Sequence, residues 1–573
     1  MANLRDELEY CVREFGRRKA FILKDENGEH HDITFEKNHN SIRCLGAEFI
    51  ERGMAGQRIA VIGKNSYNWY LASAATQLTG GITVPIDKEL RFGELEMTLV
   101  RSRATILFYD KKEEELVHEV VAAGKTSVEY MFPLYKNDEH VDIFDLLEDG
   151  RKKMELPGRK KIDEVEIDEN AVSFLIFTSG TTSNSKIVML SQRNIYANTY
   201  NTLSSEDIRH TDVNMALLPY HHIFGLAGQW LFYGAGCCTV YCDGLRHIQS
   251  NMKEYKVSIF FGVPLIIESM YKKIMKTAEK NNMTGKLNAA RKVCHVLSLA
   301  NININRVVFK GILDVFGGDL RLIIFGGAPA DPEVVRGFAD FGIVALQGYG
   351  LTETAPVVAA ERPDKRRPGS IGVPINNVEV DIFEPDENGI GELRVKSAGV
   401  MKGYYEDEEA TNAVLRDGWF YTGDLGYFDQ DGFLFITGRK RNLIVLKNGK
   451  KVFAEELESL ITALPYAPSN IVVGIPNEGD QRDPVVGAKI VYDPEDFPGM
   501  TPEEIDAKIR ADIDAINETV PHYKRIRRVF VTDVPMEMTT TGKVKKYVEL
   551  KKIIAEDMGV PLTGSDDPEE IKQ

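Results

Sequence analysis

No run of about 18 apolar residues occurs in this 573-residue chain, so no helical segment is expected to span a bilayer. The first residues, Met1-Ala-Asn-Leu-Arg-Asp-Glu-Leu-Glu9, are charged and lack the apolar stretch of a secretory signal. A cytoplasmic location is therefore expected, with contact to a membrane surface left open. Cysteine is scarce: six in the whole chain do not make a disulfide framework. Three of the six, Cys237, Cys238 and Cys242, share an apolar, strand-like stretch without the paired spacing and histidines of a metal site, and are expected to be small buried hydrophobes. Positive charge is not in excess either. With 70 basic against 86 acidic residues the formal net charge is −16, which excludes a general nucleic-acid binder. There is no internal repeat.

What is present is an ordinary globular composition, 43% hydrophobic and 27% charged, in a chain too long for one hydrophobic core. Short apolar runs alternate with helical patterns. Arg58–Ile62 precedes a helix-like stretch through Trp69 and Leu78, followed by Gly81–Pro85, and similar units recur at 104–109, 171–177, 257–261 and 321–325. The fold class is thus α/β with largely parallel sheets. Residues 265–310 read as added helix. A strand-rich, barrel-like part is expected over 376–437, marked by the turns Asp386–Gly389 and Asp429–Gly432. Charge rises near Gly438, where a fresh α+β pattern begins. The expected domains are a core over 1–438, a small C-terminal domain over 439–562, and a disordered tail over 563–573.

Four short stretches carry chemistry. The first, Thr178-Ser-Gly-Thr-Thr-Ser-Asn-Ser-Lys186, follows an apolar run and could wrap a polyphosphate with backbone N–H groups, hydroxyls and one ammonium. It is not a P-loop, because Ser185 and Ile187 replace the glycine before the lysine and the hydroxyl after it. The plainer alternative is a polar turn between strand and helix, with Ser191 capping a helix from Gln192. The second, Gly348-Tyr-Gly-Leu-Thr-Glu-Thr354, offers glycines for close approach, a hydroxyl at Thr352 and a hard oxygen at Glu353 suited to Mg²⁺. The third pairs Asp424 with Arg439, a carboxylate for ribose hydroxyls and a guanidinium beside it. The fourth, Thr539-Thr-Thr-Gly-Lys543, presents a lysine on a glycine-containing loop. Taken singly, each also reads as a plain turn or a solvated charge.

In this order the four stretches resemble the adenylate-forming superfamily of acyl- and aryl-CoA synthetases, firefly luciferase and peptide-synthetase adenylation domains. The resemblance covers about residues 20–550 and is closest in pattern to long-chain fatty acid–CoA ligases. It includes Leu218–Gly225 around His222, Gly326–Pro329, Gly403–Tyr405 and Thr541–Lys543. It implies an AMP-forming acid–thiol ligase using ATP, Mg²⁺ and coenzyme A, with an acyl carrier protein as the alternative acceptor. Other readings are an aryl-CoA ligase and a non-catalytic adenylate-binding protein. Thr178, Ser179, Gly180, Thr181, Thr182 and Lys186 would hold the β- and γ-phosphates. Gly327, Ala328 and Tyr349 would line adenine, and Pro329, Gly348 and Gly350 would also belong to the nucleotide site. Thr352 would meet the α-phosphate, and Glu353, with Thr178, the Mg²⁺. Asp424 and Arg439 would hold ribose, and His222 would orient the acyl carboxylate. Lys543 would bridge that carboxylate and the α-phosphate. The C-terminal domain would rotate about Arg441 between half-reactions.

The chain departs from the family at Ser183, Ser185 and Ile187, where glycine, proline and glycine are usual, and at Asn442 and Ala454. Gly350 stands where acetate-specific relatives carry tryptophan, which implies a deeper acyl pocket. Basic residues gather at Arg439, Lys440, Arg441, Lys447, Lys450 and Lys451, and at Lys524, Arg525, Arg527 and Arg528. Such a cluster could receive the phosphates of coenzyme A or an acidic carrier protein, or be a solvated face.

Overall fold

The computed structural model describes residues 3–155, 161–178, 185–299, 302–328, 330–467, 469–477, 480–538 and 544–558. Chain contacts divide it into two units. The larger holds residues up to Asp381 with Arg394–Tyr421 and Asp429–Phe435; the smaller holds Ile382–Leu393, Thr422–Phe428 and the chain from Ile436.

The larger unit contains a nine-stranded and a seven-stranded sheet. At the heart of the first, Val213–Ala216, Ile259–Gly262, Leu322–Gly326 and Val344–Gly350 run parallel side by side. The last three are joined through helices on the sheet faces, among them Pro264–Lys280 and Pro332–Asp340. Leu322, Ile323 and Phe325 are fully buried, as a strand covered on both faces requires. The second sheet has the order Gly403–Tyr404, Ile187–Ser191, Val172–Phe177, Ile82–Ile86, Arg58–Ile62, Ile106–Tyr109, Tyr130–Pro133. Its five strands from Val172–Phe177 to Tyr130–Pro133 are parallel.

The expected strands and helices of both sheets are present, and 265–310 is helical over Pro264–Lys280, Thr284–Leu299 and Asn305–Val308. Cys237 and Cys238 are buried and, like Cys242, carry free thiols. The alternative of a turn between strand and helix holds in part: the helix does start at Gln192, capped by the Ser191 hydroxyl, but an antiparallel strand, Ile187–Ser191, lies between it and the Thr178–Lys186 loop. The run Ile187-Val-Met-Leu190 is short and apolar, and such a run does not announce its own pairing.

The turns at Gly389 and Gly432 form as expected, each glycine at a φ near +80°. Five strands between Glu379 and Arg439 make one further sheet. The smaller unit holds the three-stranded sheet of Ser469–Asn477, Asp480–Val491 and Arg528–Thr532, against which Ala454–Thr462 and Pro502–Thr519 pack through Leu457, Ile461, Ile505, Ile509 and Ile513. Among the described residues no helix is long and apolar enough to cross a membrane. The expected tail over 563–573 lies outside the described residues.

Candidate functional site

The larger unit gathers its candidate residues at the carboxyl ends of parallel strands, where open α/β sheets bind ligands. Gly327 and Ala328 follow the strand Leu322–Gly326, and Gly348, Tyr349 and Gly350 end the next one. Gly326 and Gly348 are paired across these strands. A Cβ on Gly326 would lie 2.9 Å from the Gly348 carbonyl and 3.3 Å from the Phe224 ring, so the two backbones and the helix after His222 converge here. Gly327 has a φ of +88°, and a Cβ there would meet nothing within 4 Å. The exposed backbone of Gly327 and Ala328 is thus open to a flat ligand.

His222 is half-buried and sits at the N-cap of Ile223–Gly234, its N–H donating to the Pro219 carbonyl at 3.1 Å. Gly225 is required by this turn, since a Cβ would stand 2.3 Å from the Pro219 oxygen. The neighbouring ring of His221 lies 4.2 Å away, centroid to centroid. Burial, with Lys88 nearby, pushes His221 down to about 3. It is therefore neutral at physiological pH, and its 3.5 Å approach to Asp87 is not an ion pair. Phe224, two residues after His222, packs against an apolar cluster of Leu218, Phe232, Phe261, Ile324 and Leu346.

On the other sheet, the neck of the phosphate-loop candidate is closed by Thr178. Its N–H and hydroxyl donate to the Lys186 carbonyl at 2.9 and 3.1 Å, and the hydroxyl oxygen keeps lone pairs for a cation. Ser179, Gly180, Thr181 and Thr182 lie outside the described residues, as do Ser183, Pro329 and Lys543. The exposed ammonium of Lys186 lies 4.4 Å over the Tyr404 ring and, among the described residues, makes no ion pair. The Tyr404 hydroxyl donates to Glu353 Oε1 at 2.8 Å. Burial, with Glu353 beside it, pushes this phenol well above its usual range, so it stays protonated. Glu353 is half-buried in the turn Thr352–Thr354, and its carbonyl accepts from the Met401 N–H at 2.8 Å. Among the described residues its second carboxylate oxygen takes no hydrogen bond. A hard oxygen so placed fits Mg²⁺.

Tyr404 was not a candidate from sequence. Its place depends on Gly403–Tyr404 pairing with Met189 and Val188, a contact that no local spacing encodes. Two departures in the loop also acquire reasons. The Ser185 hydroxyl accepts from Arg101 Nη1 at 3.2 Å, and Ile187 is a buried core residue opposite Phe177.

Gly350 has a different reason from pocket depth. A Cβ there would stand 1.9 Å from the Pro356 carbonyl oxygen and 3.0 Å from Val357 Cα, so the missing side chain faces the adjoining strand. Gly350→Ala is expected to lower stability by about 1–3 kcal/mol through overpacking, read as a fall in melting temperature. A variant as stable as the parent would show that the backbone yields.

In the smaller unit, Asp424 is 3% exposed and its Oδ1 lies 3.0 Å from Arg439 Nε. The Asp424 N–H donates to Thr422 Oγ1, and that hydroxyl to the Leu393 carbonyl. Arg441 is exposed in the turn Lys440–Asn442. Asn442 donates to Glu455 Oε1 at 2.7 Å. The flanks of 539–543 are tied together: Met538 bridges to Val544, and the Lys545 N–H donates to the Glu537 carbonyl at 2.8 Å. Much of the basic cluster is already paired. Lys440 meets Glu392, Lys524 meets Glu456 and Arg525 meets Glu518, at 2.6–3.1 Å.

A profile of the family described as AMP-binding enzyme matches residues 8–405, and one described as AMP-binding enzyme C-terminal domain matches 441–554. The chain is 26% identical over 569 residues to the long-chain-fatty-acid–CoA ligase FadD15 of Mycobacterium bovis, covering 92% of this chain and 91% of that protein. It is 27% identical over 514 residues to long chain acyl-CoA synthetase 1 of Arabidopsis thaliana, covering 83% and 76%. Among solved structures, the anthranilate CoA ligase AuaEII in complex with anthranoyl-AMP aligns with a TM-score of 0.77 at 20% identity, over 97% and 98% of the two chains. A Mycobacterium tuberculosis fatty acyl CoA synthetase aligns with a TM-score of 0.68 at 21% identity, over 98% and 99%. These two share the fold.

Proposed function

We propose, from the premise that this chain belongs to the AMP-binding enzyme family, that it is an AMP-forming acid–thiol ligase acting on a medium- or long-chain fatty acid with coenzyme A as acceptor. The observation that carries this reading is the chain of contacts Lys186–Tyr404–Glu353. It joins an ammonium that makes no ion pair among the described residues to a carboxylate whose second oxygen takes no hydrogen bond among them, at the carboxyl ends of parallel strands. That is what a bound triphosphate with its counter-ion requires.

The substrate carboxylate attacks the α-phosphorus of ATP, a C–O–P linkage forms and pyrophosphate leaves. The thiol of coenzyme A then attacks the carbonyl carbon. AMP departs with the oxygen that came from the acid, and the thiol proton is lost to solvent. The substrate is the nucleophile, so the protein's part is to position groups and offset charge. Lys186 and the loop hydroxyls hold the outer phosphates, and Thr352 meets the α-phosphate. Tyr404, kept protonated, fixes Glu353 from one side. His222 orients the acyl carboxylate. Asp424 and Arg439 hold the ribose, Lys543 bridges the reacting groups, and Arg441 is the pivot of the C-terminal domain. Mg²⁺ held by Glu353, with Thr178 as a second ligand, offsets phosphate charge when bound.

Two observations support a fatty rather than a small acid. The curated relatives cited above are named for long-chain substrates at 26–27% identity, and most of the described residues between Pro264 and Val315 are helical. The test is pyrophosphate release against a panel of acids from acetate to palmitate and aryl acids, run with coenzyme A and with acyl carrier protein. Release should depend on an acid, peak with a medium or long chain and turn over with coenzyme A. Release with water alone, or none with any acid, would overturn the ligase reading. A maximum with an aryl acid, or turnover with carrier protein only, would overturn the substrate or the acceptor.

A further inference from the structure

We propose that Glu114, His118 and His140 form a binding site for one borderline divalent transition-metal ion, of which zinc is the probe, separate from the nucleotide-binding residues. Glu114 and His118 stand one turn apart on the helix Glu114–Ala122, so their side chains share a face. His140 comes from the loop after the edge strand Tyr130–Pro133. Each of the three offers a ligand atom, and these atoms all lie within 4.8 Å of one another. Small side-chain rotations bring such a set to the ~2.0–2.2 Å at which zinc holds imidazole and carboxylate. Two imidazoles and one carboxylate select a borderline ion over Mg²⁺ or Ca²⁺, which prefer all-oxygen shells.

The surroundings hold the three residues in place. The Tyr109 hydroxyl is 3.3 Å from His118 Nε2. Asn137 accepts from the backbone N–H of His140 at 2.9 Å through Oδ1, and its Nδ2 reaches Glu114 Oε1 at 3.4 Å. The rings of His118 and His140 stack at 5.4 Å. One fixed ring partner and one loop tether are the kind of support that metal-binding side chains need. A bound ion would tie the helix before the edge strand to the loop after it. That strand lies at the opposite end of its sheet from Ile187–Ser191 and Gly403–Tyr404, so the ion would act on stability rather than on the chemistry.

The experiment is calorimetric titration of the metal-stripped full chain with zinc, alongside His140→Ala and Glu114→Gln. His140 is exposed, so its replacement leaves the core intact. One equivalent should bind, and each variant should weaken it by more than about 10-fold, since losing even a supporting partner costs that much. Cobalt should give a visible absorption band that both variants lose, and zinc should raise the melting temperature of the parent alone. Pyrophosphate release should be equal in all three proteins. No binding at micromolar zinc, or equal binding by parent and both variants, would overturn the site and place any residual zinc on other groups.

Discussion

Lys543→Ala is expected to slow acyl adenylate formation at least ~10²-fold, the scale of losing one charge-stabilising donor, or about 2.7 kcal/mol of barrier. Thioester formation from a supplied acyl adenylate should change little. The asymmetry follows from where charge gathers. In the first half-reaction a carboxylate approaches a phosphate, and an ammonium between them offsets the repulsion as the bond forms. In the second, a thiol attacks a carbonyl carbon and no such meeting of anions occurs. The framework for this lysine is visible on either side of it. Met538 and Val544 are bridged, and Glu549, which follows on the helix Lys546–Met558, is fully buried with Lys489 Nζ at 2.7 Å. Burial raises Glu549, but Lys489, the Glu537 N–H and Lys552 together bring it below the usual carboxylate range, so it stays charged and holds the base of the loop. Single-turnover measurement of each half-reaction checks the prediction. Equal losses in both would remove the bridging role.

Glu353→Gln is expected to cut adenylation by ~10²-fold or more, because counter-ion stabilisation of transferring phosphate is worth several kcal/mol. The replacement keeps shape, and its carbonyl can still accept from Tyr404, so the melting temperature should hold while the Mg²⁺ concentration needed for half-maximal rate rises. Tyr404→Phe removes one hydrogen bond to a charged group, worth about 1.5–3 kcal/mol at most. Its effect should fall in the same direction and be smaller. Titrating Mg²⁺ against pyrophosphate release in the three proteins separates these cases. An unchanged Mg²⁺ dependence in Glu353→Gln would move the cation to other ligands.

The sequence made the architecture legible because its strands are short, buried and punctuated. Leu322–Gly326, for example, is an apolar run closed by glycines. The helix Pro502–Thr519 announces itself through its Thr501 cap and Glu504, which form a capping box. What stayed hidden depended on pairing. Ile187–Ser191 is apolar enough for helix or strand, and its pairing with Val172–Phe177 places a hairpin ahead of the helix that Ser191 caps. In the proposed reading, Thr178 and Lys186 would therefore meet the phosphates from a hairpin, with the helix starting only at Gln192. Tyr404 reaches Glu353 only because Gly403–Tyr404 joins that hairpin from far along the chain. Gly350 looked like a pocket determinant, yet the adjoining Pro356 carbonyl requires a glycine there. Likewise the one-turn pair Glu114 and His118 is visible in sequence, whereas the approach of His140 needs the edge strand and its loop.

The central claim is that an acyl adenylate forms and is then broken by a thiol. Palmitate labelled with ¹⁸O in its carboxylate, incubated with the full chain, ATP, Mg²⁺ and coenzyme A, tests this most directly by mass spectrometry of the nucleotide product. If the carboxylate oxygen attacks the α-phosphorus and the thiol then cleaves the acyl carbon–oxygen bond, AMP must carry one labelled oxygen and pyrophosphate none. AMP without label, or ADP and phosphate in its place, would contradict the account.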